Sequence, residues 1–183
     1  MTLHLDPRAP WVVSTHELGR RPGAMKQLRL TLPAPAETGV DMIGVPRDAD
    51  VELDIRLESV MEGVLVTGTA RSPLRGECAR CLEPVTSENE VSFQELYFYS
   101  AEDAAEDDLL LDGDLLDLEP VFRDAVVLTL PLSPLCSEDC AGLCAECGVR
   151  LADAGPGHGH EVIDARWAKL QGLVPEHNND QES

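Results

Sequence analysis

The segment that decides the fold is VELDIRLESVMEGVLVTGTAR, residues 51–71. Apolar and charged residues alternate strictly from Val51 to Glu58, which is the period-two pattern of a β-strand with one buried face. The Met-Glu-Gly sequence at 61–63 predicts a turn, and residues 64–71 predict the returning strand. The segment therefore predicts an antiparallel hairpin whose inner face is aliphatic.

Strand patterns also lie on both sides of this hairpin. Residues 25–32 alternate in hydrophobicity, residues 74–78 lead into a pair of cysteines, and residues 85–99 form a long strand candidate. Residues 33–49 are rich in proline and glycine and predict a loop. The strands together predict an α+β fold built on an antiparallel sheet or a partly closed β-barrel.

Two short helices complete the predicted fold. Glu119-Pro120 is a favourable helix start, and apolar residues then recur with helical spacing until Pro131. Residues 164–173, DARWAKLQGL, predict a second, amphipathic helix. The C-terminal segment between and around these helices carries most of the cysteines, so we expect zinc to fasten it to the sheet.

Length and composition set further limits. A chain of 183 residues suits one domain with appendages, and we expect an N-terminal segment at 1–24, an α+β domain at 25–174 and a disordered tail at 175–183. No apolar run reaches the about 18 residues that a membrane helix needs. The N-terminus lacks the basic-then-apolar pattern of a secretion signal, so we expect a cytoplasmic protein without a membrane partner.

The charge of the chain is strongly uneven. The net charge is -20, and residues 1–80 hold ten basic and eleven acidic residues, against four basic and twenty-three acidic ones in residues 81–183. Such an acidic chain cannot grip nucleic-acid phosphates with its whole surface. Aromatic residues are only 4% of the chain, which excludes an extended base-stacking platform.

Six cysteines form three closely spaced pairs: a first pair (Cys78, Cys81), a middle pair (Cys136, Cys140) and a last pair (Cys144, Cys147). In a reducing compartment such spacing indicates metal binding rather than disulfides. Cysteines two residues apart can turn both sulfurs toward one ion, and two such pairs give the tetrahedral thiolate shell that suits Zn²⁺. We expect about one structural Zn²⁺ per chain.

Six thiols exceed one four-ligand site, and three combinations are open. Spacing alone favours joining the first pair to the last pair. The alternatives are a local site made of the middle and last pairs, or a site that joins the first pair to the middle pair. His158 and His160 could supply a ligand to a mixed site, but their Gly-His-Gly-His sequence is more typical of a polar linker.

The sequence predicts a protein without enzymatic activity. A closed four-cysteine zinc site supports folding and does no chemistry, and we find no phosphate-binding loop, nucleophile elbow or small-molecule site. The alternative is a zinc- or thiol-dependent enzyme, either an oxidoreductase using Cys78 and Cys81 or an RNA-processing hydrolase. Redox motifs of this spacing begin a helix in a parallel fold, whereas the first pair follows an antiparallel strand pattern.

Several motifs coincide in one chain: HELGRRPGAM at 16–25, CARCLEP at 78–84, CSEDCAGLCAECGVRL at 136–151 and DARWAKL at 164–170. In this combination the chain resembles the YceD family, the bacterial large ribosomal RNA subunit accumulation proteins. The resemblance extends from about residue 10 to residue 173. The chain departs from the family pattern between Leu151 and Asp164. Further Asn or Cys residues are expected there, and the sequence has DAGPGHGHEVI instead.

The resemblance implies a role in ribosome biogenesis, in the synthesis, processing or stability of 23S rRNA, without catalytic residues. Only the six cysteines and two arginines, Arg20 and Arg21, match family motifs. A basic large-subunit ribosomal protein or a pre-ribosomal particle is the partner that suits the acidic half electrostatically. Contact with 23S rRNA can then be indirect, and any direct contact should involve Arg20 and Arg21.

Overall fold

The structure is a computed structural model that describes residues 4–36 and 38–160. The chain divides into two compact units, residues 1–140 and residues 141–183. In its described part the first unit contains a short 3₁₀ turn at His16–Leu18, an α-helix α1 at Glu119–Thr129, and the strands β1 Val12–Ser14, β2 Met25–Pro33, β3 Gly39–Val40, β4 Ile43–Gly44, β5 Asp50–Ser59, β6 Gly63–Glu77, β7 Pro84–Phe98, β8 Leu109–Leu110 and β9 Leu115–Asp117.

A seven-stranded sheet forms the body of the first unit. Strands β2, β5, β6 and β7 follow one another as antiparallel neighbours, and β8 pairs with β7 in parallel. The β3–β4 hairpin pairs with the far end of β6, next to Gly76. The antiparallel sheet and the central hairpin are therefore confirmed.

The partly closed barrel is wrong for this chain. In the described residues β2 pairs only with β5, and the opposite edge is the two-residue strand β8. Closing a barrel requires long edge strands that can pair with a regular stagger. A two-residue strand parallel to its neighbour gives β2 no such edge, so the sheet stays open.

Strand β6 is longer than the sequence predicts, because the two segments predicted at 64–71 and 74–78 join into one strand. Pro73 lies between them, at a point where β5 has ended and β4 has not begun, although β7 continues alongside. A proline has no N–H for a ladder bond, so it is tolerated where one side of the strand has no partner. This continuity carries the β6–β7 hairpin out to the first cysteine pair.

Helix α1 has the predicted start and ends before Pro131, as expected. It buries Val121, Phe122 and Val126. The ring of Phe122 stacks on Trp11 with centroids 4.7 Å apart, and the indole N–H of Trp11 donates to the Pro33 carbonyl at 2.9 Å. This stack joins the N-terminal segment, the helix and the end of β2 into one core.

The N-terminal segment packs within the first unit. Strand β1 pairs with β9, from Ser14 opposite Leu115 to Val12 opposite Asp117. The Leu5 N–H donates to the Asp112 carboxylate at 2.7 Å, and this hydrogen bond is the main cause of the lowered pKa of Asp112. The segment is thus held to a loop about one hundred residues later in the chain.

The described part of the second unit, residues 141–160, consists of successive turns with a short bridge between Leu143 and Arg150. The predicted helix at 164–173 and the predicted tail at 175–183 lie outside the described residues. None of the helices in the described ranges has the length and apolarity that crossing a bilayer would need.

Gly63 opens β6 at a point where no side chain fits. A Cβ added there would lie 1.9 Å from the carbonyl oxygen of Tyr97 on β7. We expect Gly63→Ala to lower the free energy of unfolding by about 1–3 kcal/mol, because the β7 backbone must shift. Urea unfolding measures this change. Gly155→Ala is the control, since an added Cβ meets no heavy atom within 4 Å there; equal losses in both variants would contradict the steric argument.

Candidate metal centres

The first cysteine pair lies in the turn that joins β6 to β7. Glu77 and Pro84 form the last pair of residues in the ladder, and the Cys78 N–H donates to the Glu83 carbonyl at 2.8 Å. The Leu82 N–H donates back to the Cys78 carbonyl at 2.9 Å, with Leu82 in the left-handed region at φ 61°. This curled backbone brings both sulfurs of the pair to one side of the turn.

The middle pair follows α1 and is held against the same turn. The Ala79 N–H donates to the Pro134 carbonyl at 2.8 Å. The Arg80 guanidinium donates to the Cys140 carbonyl at 3.0 Å. Two residues inside the first pair therefore fix the segment that carries the middle pair, before any metal is considered.

These contacts assemble the four-cysteine cluster of Cys78, Cys81, Cys136 and Cys140. Its sulfurs are 3.7 Å apart between Cys78 and Cys140 and 3.5 Å apart between Cys81 and Cys136, and all four lie within 4.8 Å of one another. A tetrahedral zinc with bonds of about 2.3 Å sets its sulfurs about 3.8 Å apart. The cluster fits that ion, whereas a disulfide needs sulfurs about 2.05 Å apart.

Electrostatics within the cluster also favour a cation. Burial disfavours the Cys78 thiolate, but backbone N–H groups, among them that of Arg80, outweigh it and lower the pKa of Cys78 to about 6. The Glu83 amide favours the Cys81 thiolate, yet burial and the neighbouring thiols raise the pKa of Cys81 to about 12. Four thiols so close cannot all ionise alone, and a bound divalent cation removes that conflict.

A second group of ligands, the Cys–His cluster, lies in the second unit and consists of Cys144, Cys147, His158 and His160. The Cys147 sulfur is 3.2 Å from Nε2 of His160 and 3.7 Å from Nε2 of His158. Hydrogen bonding to His158 is the largest of several effects that lower the pKa of Cys144 to about 6. All four ligand atoms lie within 4.8 Å of one another.

The grouping differs from the combination that spacing favours. The first pair meets the middle pair, the third of the three open combinations, and the last pair meets His158 and His160, whose sequence favours a linker. Spacing along the chain indicates that each pair can bind metal, but it does not show which pairs share one ion. The signal that was available is the helix stop at Pro131 and Pro134, which places Cys136 directly beyond α1.

The two arginines of the predicted RNA contact have different surroundings. The Arg20 guanidinium lies 4.8 Å from the centre of the Tyr99 ring and donates to the Gly113 carbonyl at 3.2 Å. Arg21 is exposed. Arg20 is therefore engaged in holding the N-terminal segment, and Arg21 is the more available of the two for a ligand.

The acidic run at 100–114 also divides into two parts. Asp112 and Asp114 contact the N-terminal segment. Asp112 accepts from the Leu5 N–H, and the Asp114 carboxylate lies 3.0 Å from Nδ1 of His16. Glu102, Asp103, Glu106 and Asp107 are exposed. Strand β8, Leu109–Leu110, also lies in this run.

Beside these exposed acids a groove runs between β7 and α1. Its apolar floor and acidic rim are formed by Phe93, Glu95, Asp107, Leu109, Val121, Asp124 and Leu128, and we call it the acidic groove. Leu128 on its rim is 85% exposed, and Leu132 just beyond α1 is 93% exposed. An exposed leucine on a rim that also carries carboxylates forms a surface suited to a cationic, partly apolar protein segment.

Comparison with known proteins agrees with the motifs. The family model of the large ribosomal RNA subunit accumulation protein YceD matches residues 66–174. An uncharacterised protein of Mycobacterium tuberculosis (strain H37Rv) is 48% identical over 167 residues, covering 88% of this chain and 80% of the relative. One from Mycobacterium leprae is 41% identical over 172 residues, covering 91% of this chain and 78% of that protein. No solved structure matches the chain significantly.

Proposed function

The chain belongs to the YceD family of large ribosomal RNA subunit accumulation proteins, and from that premise we propose that it is a non-enzymatic ribosome biogenesis factor for 23S rRNA. The observation that carries the proposal is the extent of the family match, because residues 66–174 include both ligand clusters and the acidic groove. The site of action is the cytoplasm, where ribosomal subunits are assembled.

The proposed cofactor is structural zinc in the four-cysteine cluster. Four protein ligands leave no open position for a substrate or a reactive water, as a catalytic zinc would require. Cys78 is fully buried and Cys81 is 6% exposed, so a substrate has little access to the thiols of the first pair. The role that suits this arrangement is to fix the segment after α1 to the β6–β7 turn.

The proposed partner is a basic large-subunit ribosomal protein, free or within a pre-ribosomal particle. The acidic half repels RNA phosphates and attracts cationic protein, so complexes through this surface should form quickly and weaken with salt. The acidic groove supplies apolar contact area beside the charges. Contact with 23S rRNA is then mainly indirect, with Arg21 the better candidate for a direct contact.

Loss of the gene tests the biological role. We expect cells that lack it to accumulate less 23S rRNA relative to 16S rRNA, with recovery when the wild-type chain is supplied. Quantifying both rRNAs and their precursors in total RNA measures this. An unchanged ratio, with normal large subunits in a sucrose gradient, would contradict the proposed function.

Replacing the exposed acids tests the partner. We expect the joint change Glu102→Gln, Asp103→Asn, Glu106→Gln and Asp107→Asn to slow association with basic large-subunit proteins by about tenfold at low salt, because steering is lost. Stopped-flow or surface-based kinetics at two salt concentrations give the rates. Asp112 and Asp114 are left intact because they hold the N-terminal segment.

The matched control removes the same number of exposed acids elsewhere, by Asp41→Asn, Asp48→Asn, Glu62→Gln and Glu88→Gln. This variant should associate faster than the first one. Equal rates in both would show that net charge alone acts and that the acidic groove is not the contact. Tight binding of naked rRNA that is lost in Arg21→Ala would instead move the contact to the N-terminal segment.

An enzymatic function is the competing candidate, favoured by one observation: the pKa of Cys144 is lowered to about 6, as in reactive thiols. Alkylation of the protein as purified separates the two. A metal-bound structural protein should resist alkylation at Cys144 until a chelator is added. Rapid alkylation with full metal content would favour thiol chemistry.

A further inference from the structure

We infer that the Cys–His cluster is a second zinc centre, so that the chain binds two zinc ions rather than one. Its ligands are Cys144, Cys147, His158 and His160. This second centre is separate in sequence and in donor chemistry from the four-cysteine cluster.

The backbone between its two cysteines is already shaped for a metal. The Cys144 N–H donates to the Val149 carbonyl, and the Gly148 N–H donates to the Cys144 carbonyl, both at 2.8 Å. Gly148 has φ +72°, a backbone conformation that residues other than glycine rarely adopt. These bonds close a tight turn around both sulfurs, so the ligands are presented without further rearrangement.

The histidines approach from a second turn. The His158 N–H donates to the Gly155 carbonyl at 2.9 Å. The two rings meet edge to face with centroids 4.8 Å apart, and both present Nε2 to Cys147. Gly157 and Gly159 flank His158, and Gly155 lies two residues before Gly157. Because glycine allows a wide range of backbone conformations, this loop can wrap around an ion.

The distances suit a tetrahedral ion with mixed ligands. Zinc bonds of about 2.3 Å to sulfur and about 2.05 Å to nitrogen place a sulfur and a nitrogen about 3.6 Å apart. The observed separations from the Cys147 sulfur are 3.2 Å and 3.7 Å. Two thiolates with two imidazoles select zinc over magnesium or calcium, which prefer oxygen ligands.

In its described part, residues 141–160, the second unit has little buried apolar material to hold this shape. Among residues 141–160 only Gly142 is buried, so the described part of the unit contains no hydrophobic core. Segments this short generally need a metal, a disulfide or a partner to stay folded. None of the six cysteines forms a disulfide in this structure, so a metal is the cross-link that the ligands of the Cys–His cluster can supply.

Metal content of the full-length chain is the first test. We expect two zinc equivalents by elemental analysis in wild type, one in His158→Ala with His160→Ala, and one in Cys81→Ser. His4→Ala with His16→Ala is the control and should retain two, because neither histidine belongs to a cluster. A single equivalent in wild type, or two equivalents in the variant without His158 and His160, would overturn the inference.

Cobalt substitution tests the ligand set independently of stoichiometry. In Cys81→Ser only the Cys–His cluster should be intact, and its cobalt form should show a thiolate charge-transfer band for two thiolates. The variant without His158 and His160 should show the band of four thiolates from the other cluster. A four-thiolate band in Cys81→Ser would mean that the remaining cysteines have combined and that the histidines are not ligands.

Hydrogen exchange then tests the structural role. Amides 144 and 148 should be protected in the zinc-loaded chain and exchange fast in the variant without His158 and His160, while β5 and β6 stay protected. Unchanged protection at these two amides would contradict the inference. Since Cys147 and both histidines are exposed, we also expect a chelator to remove this ion before the one held by buried Cys78.

Discussion

The Cys81→Ser variant is expected to lose the metal of the four-cysteine cluster and to melt about 10–20 °C below the wild type. Structural zinc contributes about 10 kcal/mol or more to folding in small zinc domains, and about 5 kcal/mol of loss gives a shift of this size in a chain of this length. Cys81 is 6% exposed. Its replacement also leaves the other three thiols of the cluster without their shared cation. Thermal unfolding together with metal analysis measures both effects.

Cys144→Ser is the matched control, because it removes one thiol from the other cluster and leaves the first unit intact. The main unfolding transition should stay within a few degrees of wild type. If Cys81→Ser kept its metal and its Tm, the first cysteine pair would not be part of a zinc site.

Phe122→Ala is expected to lower the free energy of unfolding by about 3–5 kcal/mol, the usual cost of removing a buried aromatic ring. Phe122 is fully buried and stacks on Trp11, so the cavity would open between the helix and the N-terminal segment. Urea unfolding gives the free energy, and the emission of Trp11 should shift to the red as its partner is lost.

Leu128→Ala on the same helix is the control. Its side chain is 85% exposed, and exposed substitutions usually change stability by less than about 0.5 kcal/mol. A loss in Phe122→Ala no larger than that in Leu128→Ala would mean that the helix does not pack where the structure places it.

Most of the sheet could be predicted because its signal is local. Strand β5 buries alternate residues, and β2 and part of β7 alternate between exposed and less exposed residues; that alternation is visible in the sequence itself. Helix α1 was equally predictable from Glu119-Pro120 at one end and Pro131 at the other. The β3–β4 hairpin was missed because its two-residue strands lack any alternation.

That hairpin depends instead on close approach of the backbone at its glycines and at Gly76 of β6. A Cβ at Gly76 would lie 2.2 Å from the Met42 carbonyl oxygen, and one at Gly39 would lie 2.5 Å from the Cα of Gly44. Such close approach explains why glycine stands at these positions, yet a glycine-rich stretch predicts a loop equally well. The signal exists in the sequence but has two interpretations.

The metal ligands were predictable as residues but not as sets. Each cysteine pair has a local spacing that indicates metal binding. Which pairs meet depends on long-range backbone contacts, such as the bond from Ala79 to Pro134, and these leave no periodic mark in the sequence. The engagement of Arg20 with Tyr99 was hidden for the same reason.

The pairing of β1 with β9 has a consequence for synthesis on the ribosome. Ser14 emerges early, but its partner Leu115 is translated about one hundred residues later, and Cys136 and Cys140 follow later still. The Trp11 side chain therefore lacks its stacking partner until Phe122 has been synthesised. The first unit cannot close during most of its own translation, and zinc can complete the four-cysteine cluster only once residue 140 has emerged. Nascent chains that stop short of that residue should remain open to proteases and chaperones.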